Sequence, residues 1–482
     1  MHPFMITKLL GILLMLFSLL GTLPPMLVSL WYGDGMVDVF VTTFLALLLA
    51  GAVLWGLTAR NRKELTIRDG FLVVTLFWSV LGTAGCLPFV LALDLSLADA
   101  VFESISGLTT TGATVIVGLD ELPRSILFYR QLLQWLGGMG IIVLAMALLP
   151  MLGIGGMQLY QAETPGPLKD NKLVPRLAET AKALWYIYLA LTLACALAYW
   201  AVGMGAFDAI SHAFATIAIG GFSTHDASIG YFNSPAVDLV AIVFMVIAGV
   251  NFALHFTAWR QRSLKHYLLD PEFRFYIFIL GSLSVAAVGI LYITATYDSF
   301  FEAAIKGLFQ VVAIATTTGF VTDDFNAWPL FLPYMLLYAA IIGACAGSTG
   351  GGIKVIRILL IFKQGIREVQ RLIHPKAVIP IKLGRKRVPD RVIESVWGFF
   401  AVYVMVFMLM LLALLASGVE IITAFSAVGA CINNLGPGLE GVSATYATLP
   451  VTAKWILCVA MLLGRLEIFT LLVLFTPMFW QR

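Results

Sequence analysis

Charge is scarce in this chain. Only 12% of its 482 residues are Asp, Glu, Lys or Arg, against roughly a quarter in soluble domains, while 60% are hydrophobic. That excludes an ordinary water-soluble globular protein. The net charge of +3 leaves no basic surface for nucleic acid, so no nucleic-acid partner is expected. Cysteine is sparse as well. Cys86, Cys195, Cys345, Cys431 and Cys458 each sit in an apolar stretch, which excludes a disulfide framework and a thiolate metal site. There is no H-E-x-x-H, no clear nucleophile–base pair, no Walker pattern and no βαβ unit around a G-x-G-x-x-G. The expectation is therefore no enzyme and no covalent or organic cofactor. The first apolar run, 6–31, is too long for a signal-peptide core and no A-x-A-like site follows it, so it reads as a membrane helix.

Long apolar runs, in contrast, recur from end to end. Ten crossings are expected near 6–30, 38–58, 69–92, 128–152, 181–203, 237–259, 275–296, 329–362, 393–417 and 452–477. An even number puts both termini on one side. Basic residues concentrate in alternate loops: Arg60, Arg62, Lys63 and Arg68; Lys169, Lys172 and Arg176; Arg260, Arg262, Lys265 and Arg274; and the segment 363–391, with Lys363, Arg367, Arg371, Lys376, Lys382, Arg385, Lys386, Arg387 and Arg391. Positively charged loops stay in the cytoplasm, which places both termini there. Pro24 and Pro25 are expected to kink or end the first helix, because proline removes a backbone donor.

Four of the opposite loops open with an apolar stretch too short to span a bilayer: 96–108, 207–218, 299–315 and 420–431. Such stretches read as re-entrant helices. Each ends in a glycine turn: Thr109-Thr110-Thr111-Gly112, Ile219-Gly220-Gly221, Thr316-Thr317-Thr318-Gly319 and Asn433-Asn434-Leu435-Gly436. A unit of helix, re-entrant helix, turn and helix thus recurs about every hundred residues. The expected fold is an all-α polytopic membrane protein with four parallel M1–P–M2 repeats around one pore and two extra N-terminal transmembrane helices. The expected divisions are 1–68 for the two-helix domain, then repeats at 69–170, 171–270, 271–392 and 393–482.

The turns carry the chemistry. Backbone carbonyls can replace the hydration shell of an ion, and glycine adopts the left-handed conformations that such a turn needs. The C-termini of the short helices would point toward the membrane centre, where their partial negative charge favours a cation. A second landmark is the segment 343–352, with Gly343, Gly347, Ser348, Thr349, Gly350, Gly351 and Gly352 in the middle of the eighth crossing. So much glycine breaks a helix, at about 0.8–1 kcal/mol per residue relative to Ala, and the segment reads as a movable gate or a packed kink. Arg465, in the tenth crossing, either sets a charge barrier, bonds the glycine segment, or pairs locally with Glu467. Asn251 and His255 lie at comparable depth in the sixth crossing, and His255 reads as a satisfied interior group. Lys306 is expected to snorkel or cap.

The four units, the glycines Gly112, Gly221, Gly319 and Gly436, and the stretch Gly347-Ser348-Thr349-Gly350-Gly351-Gly352-Ile353-Lys354 resemble the Trk/Ktr/HKT superfamily of potassium transporters. The two extra helices make the chain most similar to the bacterial Trk membrane subunits of the TrkH/TrkG kind, over essentially its whole length. The resemblance implies potassium uptake across the inner membrane, K+ as the transported ion, a homodimer embedded in lipid, and a cytosolic nucleotide-binding regulatory subunit of the TrkA type. The basic segment 363–391 would be its docking surface, although anionic lipid attracts the same charges. In the family, glycine in the first turn accompanies potassium selectivity, which Gly112 fits. The second and fourth turns depart from Thr-Thr-Thr-Gly, so the four-fold pattern is approximate. A sodium-permeable or ion-coupled transporter of the same fold is the alternative, followed by a secondary solute transporter, whose broken helices usually come in inverted pairs.

Overall fold

The computed structural model describes residues 3–58, 67–147, 173–384 and 386–480, with side-chain surroundings undescribed at 67, 143–147 and 173–179. Arg60, Arg62, Lys63, Lys169, Lys172, Arg385, the side chain of Arg176 and the expected division at 170/171 lie outside the described residues. The molecule is mostly helical. Among the described residues, six helices are long and apolar enough to cross a membrane: Pro3–Tyr32, Val37–Thr58, Arg68–Leu93, Thr180–Ala201, Pro271–Ile293 and Asp390–Ala416. A further 24-residue helix, Arg124–Ala147, runs along the site described below. At 1.5 Å per residue, 24 residues reach about 36 Å, enough for a hydrocarbon core of about 30 Å.

Three expected crossings are not straight. The sixth breaks into Pro235–Ala248 and Phe252–Gln261, which meet at 91°. Asn251 sits at that break and caps the second piece, accepting from Ala253 N at 2.8 Å. The tenth breaks into Val451–Arg465 and Phe469–Phe475, at 107°. Arg465 therefore ends a helix instead of lying within one. The eighth divides into Leu332–Ile342 and Val355–Ile373, with 343–354 non-helical between them. The second of these helices continues well past the expected end at 362, and a two-stranded hairpin follows, pairing Lys382 with Arg387 and Leu383 with Lys386. The basic segment is thus a helix plus a hairpin, with Arg367 bonded to Asp390 at 2.9 Å.

The first helix does not end at its prolines. It runs unbroken through Pro24 and Pro25. Membrane helices tolerate such prolines where hydroxyls and neighbouring helices support the backbone, and Thr22 here donates to the Ser18 carbonyl at 2.5 Å. Gly11 and Gly51 face each other where the first two helices cross. A Cβ on Gly11 would lie 2.7 Å from the Gly51 carbonyl oxygen, so the small residues set this close approach.

Four short helices occupy the interior: Leu97–Leu108, Ala206–Ala218, Phe300–Ala315 and Ile421–Ile432. Ser96 and Ser299 cap the first and third by accepting from Asp99 N and Glu302 N. Their C-terminal halves are almost wholly buried. Long helices surround them, and the apolar core lies between the two sets.

Candidate functional site: a ring of four turns

Each short helix ends in a turn of the same backbone form. Thr110, Ile219, Thr317 and Asn434 have φ of 53°, 53°, 66° and 53°, and two residues later Gly112, Gly221, Gly319 and Gly436 have φ of 81°, 76°, 81° and 98°. Threonine and isoleucine are β-branched and rarely accept this region, so the conformation is strained and held by its surroundings.

The turns close on one another. A Cβ on Gly112 would collide with the Gly220 carbonyl oxygen, one on Gly221 with that of Thr318, one on Gly319 with that of Leu435, and one on Gly436 with that of Thr111. The order is first to second to third to fourth to first. Residues more than 300 positions apart are joined directly: Asn434 Nδ2 donates to Thr111 Oγ1 at 3.0 Å, and Tyr446 N donates to the Thr114 carbonyl at 2.8 Å. All fifteen sequence-selected turn residues are in this ring.

The two faces of the ring differ. On the side of the closing glycines an open cavity of about 500 Å³ is lined by all four of them and by the loops that follow. Asp226, Asp323 and Asp324 also line it. On the other side, where the turns begin, the segment 343–354 is docked. Its ends are zipped together, with Ile353 N on the Ile341 carbonyl at 2.9 Å and Lys354 N on that of Ile342 at 3.0 Å. Gly343, at the base of this loop, is left-handed (φ 74°) and does not reach the turns. The tip does. Thr349 Oγ1 donates to the Ile217 carbonyl at 3.0 Å, Gly351 N to Thr317 Oγ1 at 2.7 Å, and Gly352 N to the Asn433 carbonyl at 3.2 Å. Gly350 lies against the Thr316 carbonyl. Gly347 accepts from Phe252 N at 3.0 Å, and Ser348 Oγ donates to the Cys345 carbonyl at 2.7 Å.

Arg465 completes this underside. Its Nε donates to the Thr109 carbonyl at 2.7 Å and its Nη1 to the Thr349 carbonyl at 3.1 Å, while Nη2 reaches Thr109 and the Thr110 hydroxyl. The guanidinium thus bridges the first turn and the glycine segment. Local pairing with Glu467 does not occur, because Glu467 accepts from Arg357 at 2.6 Å. Between Gly350, Gly351, Gly352, Lys354 and Arg465 only about 50 Å³ of space remains.

Several residues here were given no role from the sequence. Lys354 donates to the Gly350 carbonyl, adding a second cation beside Arg465. Glu272 accepts from Ala346 N at 2.7 Å. Gln134 brackets the second turn, donating to the Gly220 carbonyl at 2.6 Å and accepting from Phe222 N at 3.1 Å. Seven residues before each left-handed residue stand Glu103, His212, Gln310 and Ala427; the first three reach the loop after their own turn. Polar residues at one phase of three short apolar helices were a readable signal. His255 is satisfied between Tyr267 Oη and the Ile247 carbonyl, at 2.8 and 2.9 Å. Lys306 places its Nζ 3.5 Å from Asp238 Oδ2 and from the Thr322 carbonyl.

The model of the TrkH family, described as cation transport protein, matches residues 37–482. The chain belongs to the TrkH family. It is 58% identical over 480 residues to the Trk system potassium uptake protein TrkH of Halomonas elongata, covering 99% of both chains, and 57% identical over 484 residues to that of Salmonella typhimurium, covering 100% of both. The TrkG protein of Escherichia coli K12 is 41% identical, over 100% of this chain and 99% of its own. The crystal structure of the potassium transporter TrkH from Vibrio parahaemolyticus superposes with a TM-score of 0.93 at 56% identity, over 100% of each chain. This TrkH-family chain is accordingly a multi-pass membrane transporter of ions and not an enzyme.

Proposed function

We propose that this chain carries potassium ions across the bacterial inner membrane through a channel-like path, with the ring of turns as its selectivity filter. The observation that carries this reading is the ring itself: closed in four steps, open to a cavity on one face, and covered on the other by a glycine loop. Thr109, Thr110, Thr111 and Gly112 with their counterparts in the other three turns hold the ion, aided by the C-terminal dipoles of four helices. The segment 343–352, with Arg465 and Lys354, is the gate, and the docked loop is its closed form. The relatives' names as potassium uptake proteins of the Trk system support the choice of ion.

The architecture belonging to this reading is four M1–P–M2 units, at 69–170, 171–270, 271–392 and 393–482, around one path, with 1–68 packed outside. Both termini face the cytoplasm. A homodimer in lipid, with a TrkA-type nucleotide-binding subunit against the basic segment 363–391, completes the assembly. The test is the reversal potential of purified protein in liposomes under opposed potassium and sodium gradients. A potential that tracks potassium is expected; one that tracks sodium, or the absence of cation current, overturns the reading.

A further inference from the structure

Each joint of the ring is held differently, and the joint between the first and second turns is held by a buried charge pair. Glu103 lies in the first short helix and Arg130 in the helix Arg124–Ala147. Their side chains are 0% and 1% exposed, and Arg130 Nε meets Glu103 Oε1 at 2.8 Å. The carboxylate is fully engaged. It accepts from Val115 N at 2.9 Å and from the Thr114 hydroxyl at 3.0 Å to both oxygens. The guanidinium spans outward, donating from Nη1 to the Ser223 carbonyl at 3.0 Å and from Nη2 to Thr114 Oγ1 at 3.1 Å, with its Cζ 4.2 Å above the Phe222 ring. One planar fork therefore ties the loop leaving Gly112 to the loop leaving Gly221.

Charged pairs stand at other joints too, Asp238 with Lys306 at 3.5 Å and Asp99 with Lys454 at 2.6 Å, but the short-helix positions that match Glu103 are His212, Gln310 and Ala427. Gln310 reaches the Phe320 carbonyl at 3.4 Å, and in the fourth unit Ser426 Oγ takes over, accepting from Leu439 N at 3.0 Å. A paired, desolvated Glu–Arg set is stiffer than either, because leaving one partner unmatched in this environment is costly. The pair is neutral as a whole, so it acts on the ion through the placement of the backbone and not as a charge in the path.

We propose that Glu103 and Arg130 are positioning residues that fix the spacing of the first two turns and so set how well the path distinguishes potassium from sodium. The proposal rests on the reading of the ring as a filter. The geometry gives the reason: Gly112 and Gly220 are already in contact, so slack behind this joint moves carbonyls that would surround the ion. The fork matters as much as the charge, since a lysine cannot reach Glu103, Thr114 and Ser223 together.

The test compares reversal potentials in proteoliposomes for the wild type, R130K, the double variant E103Q/R130M and G112S, with thermal unfolding followed alongside. The double variant removes both charges and leaves neither unpaired. Its potassium-to-sodium permeability ratio is expected to fall by about tenfold, which corresponds to about 1.4 kcal/mol, with R130K between it and the wild type. A folded double variant with the wild-type ratio, while G112S lowers it, overturns this proposal and leaves the filter reading standing. If none of the variants changes the ratio, the filter reading falls and this proposal with it. If R130K and the double variant both fail to fold, the pair serves stability alone and the proposal is wrong.

Discussion

Replacing Arg465 by Ala tests the gate directly. In the docked form Arg465 holds the Thr109 carbonyl and the Thr110 hydroxyl of the first turn and, as the second anchor, the Thr349 carbonyl of the glycine loop. Only the second bond need break when the loop leaves, so only it enters the balance between docked and released loop. A hydrogen bond from a charged group contributes about 1.5–3 kcal/mol. At about 1.4 kcal/mol per tenfold, its loss raises the released population by about 10- to 100-fold. Losing the positive charge acts the same way, because unit charges about 5 Å apart interact by about 3 kcal/mol at an effective dielectric near 20. The variant should fold, since Glu467 keeps its partner Arg357 and no buried acid is stranded. The assay is cation flux into liposomes containing this chain alone, with no regulatory subunit. Arg465→Lys separates the causes: low flux restored by Lys assigns the effect to charge, and Ala-like flux assigns it to the fork. Unchanged basal flux in a folded Ala variant would refute the role given to Arg465.

Three further outcomes are expected. Gly112→Ser lowers the potassium-to-sodium permeability ratio, measured by reversal potential, because a side chain at φ 81° is strained and collides with the Gly220 carbonyl; an unchanged ratio counts against the filter. Deleting part of 347–352 removes the contacts to Ile217, Thr317 and Asn433 and raises flux without a partner; flux that still requires one makes the loop a static kink. The third concerns the outer loops, where His225 meets Asp120 and lies 3.5 Å from Asp208. Burial opposes its charged form, but the bonds to Asp208 and Asp120 outweigh it and hold the pKa above the ordinary 6.5. This stabilisation is complete below about pH 6.5 and is lost as pH rises through the higher folded value. Hydrogen exchange in these loops should therefore speed up with pH, beyond the intrinsic rate, in the wild type and not in His225→Gln; parallel profiles would reject the pairing.

Much of the helical layout was legible because hydropathy and length alone demand it. The short helices were readable to within a residue or two, as with 96–108 against Leu97–Leu108, since an apolar run too short to span a bilayer, followed by glycine, has few other places to go. The bends at 249–251 and 466–468 were not. Both flanks of each bend are apolar, and only the packing of neighbouring helices chooses between continuing and turning by 91° or 107°. Pro24 and Pro25 do not end the first helix, because a helix supported by its neighbours absorbs what would break an isolated one.

By itself the sequence determined a polytopic helical chain, four glycine turns after four short apolar helices, a glycine break in the eighth crossing and an arginine within the tenth. These are local matters of composition, length and backbone freedom. Which turn touches which, that Arg465 reaches Thr109 and Thr349 and not Glu467, and that Glu103 and Arg130 meet behind two different turns, only the tertiary structure decided. Those contacts join residues between 27 and 356 positions apart. The physical reason is that a buried carbonyl or charge must find a partner somewhere, and its identity depends on how the helices pack around the ring rather than on any neighbour in the chain.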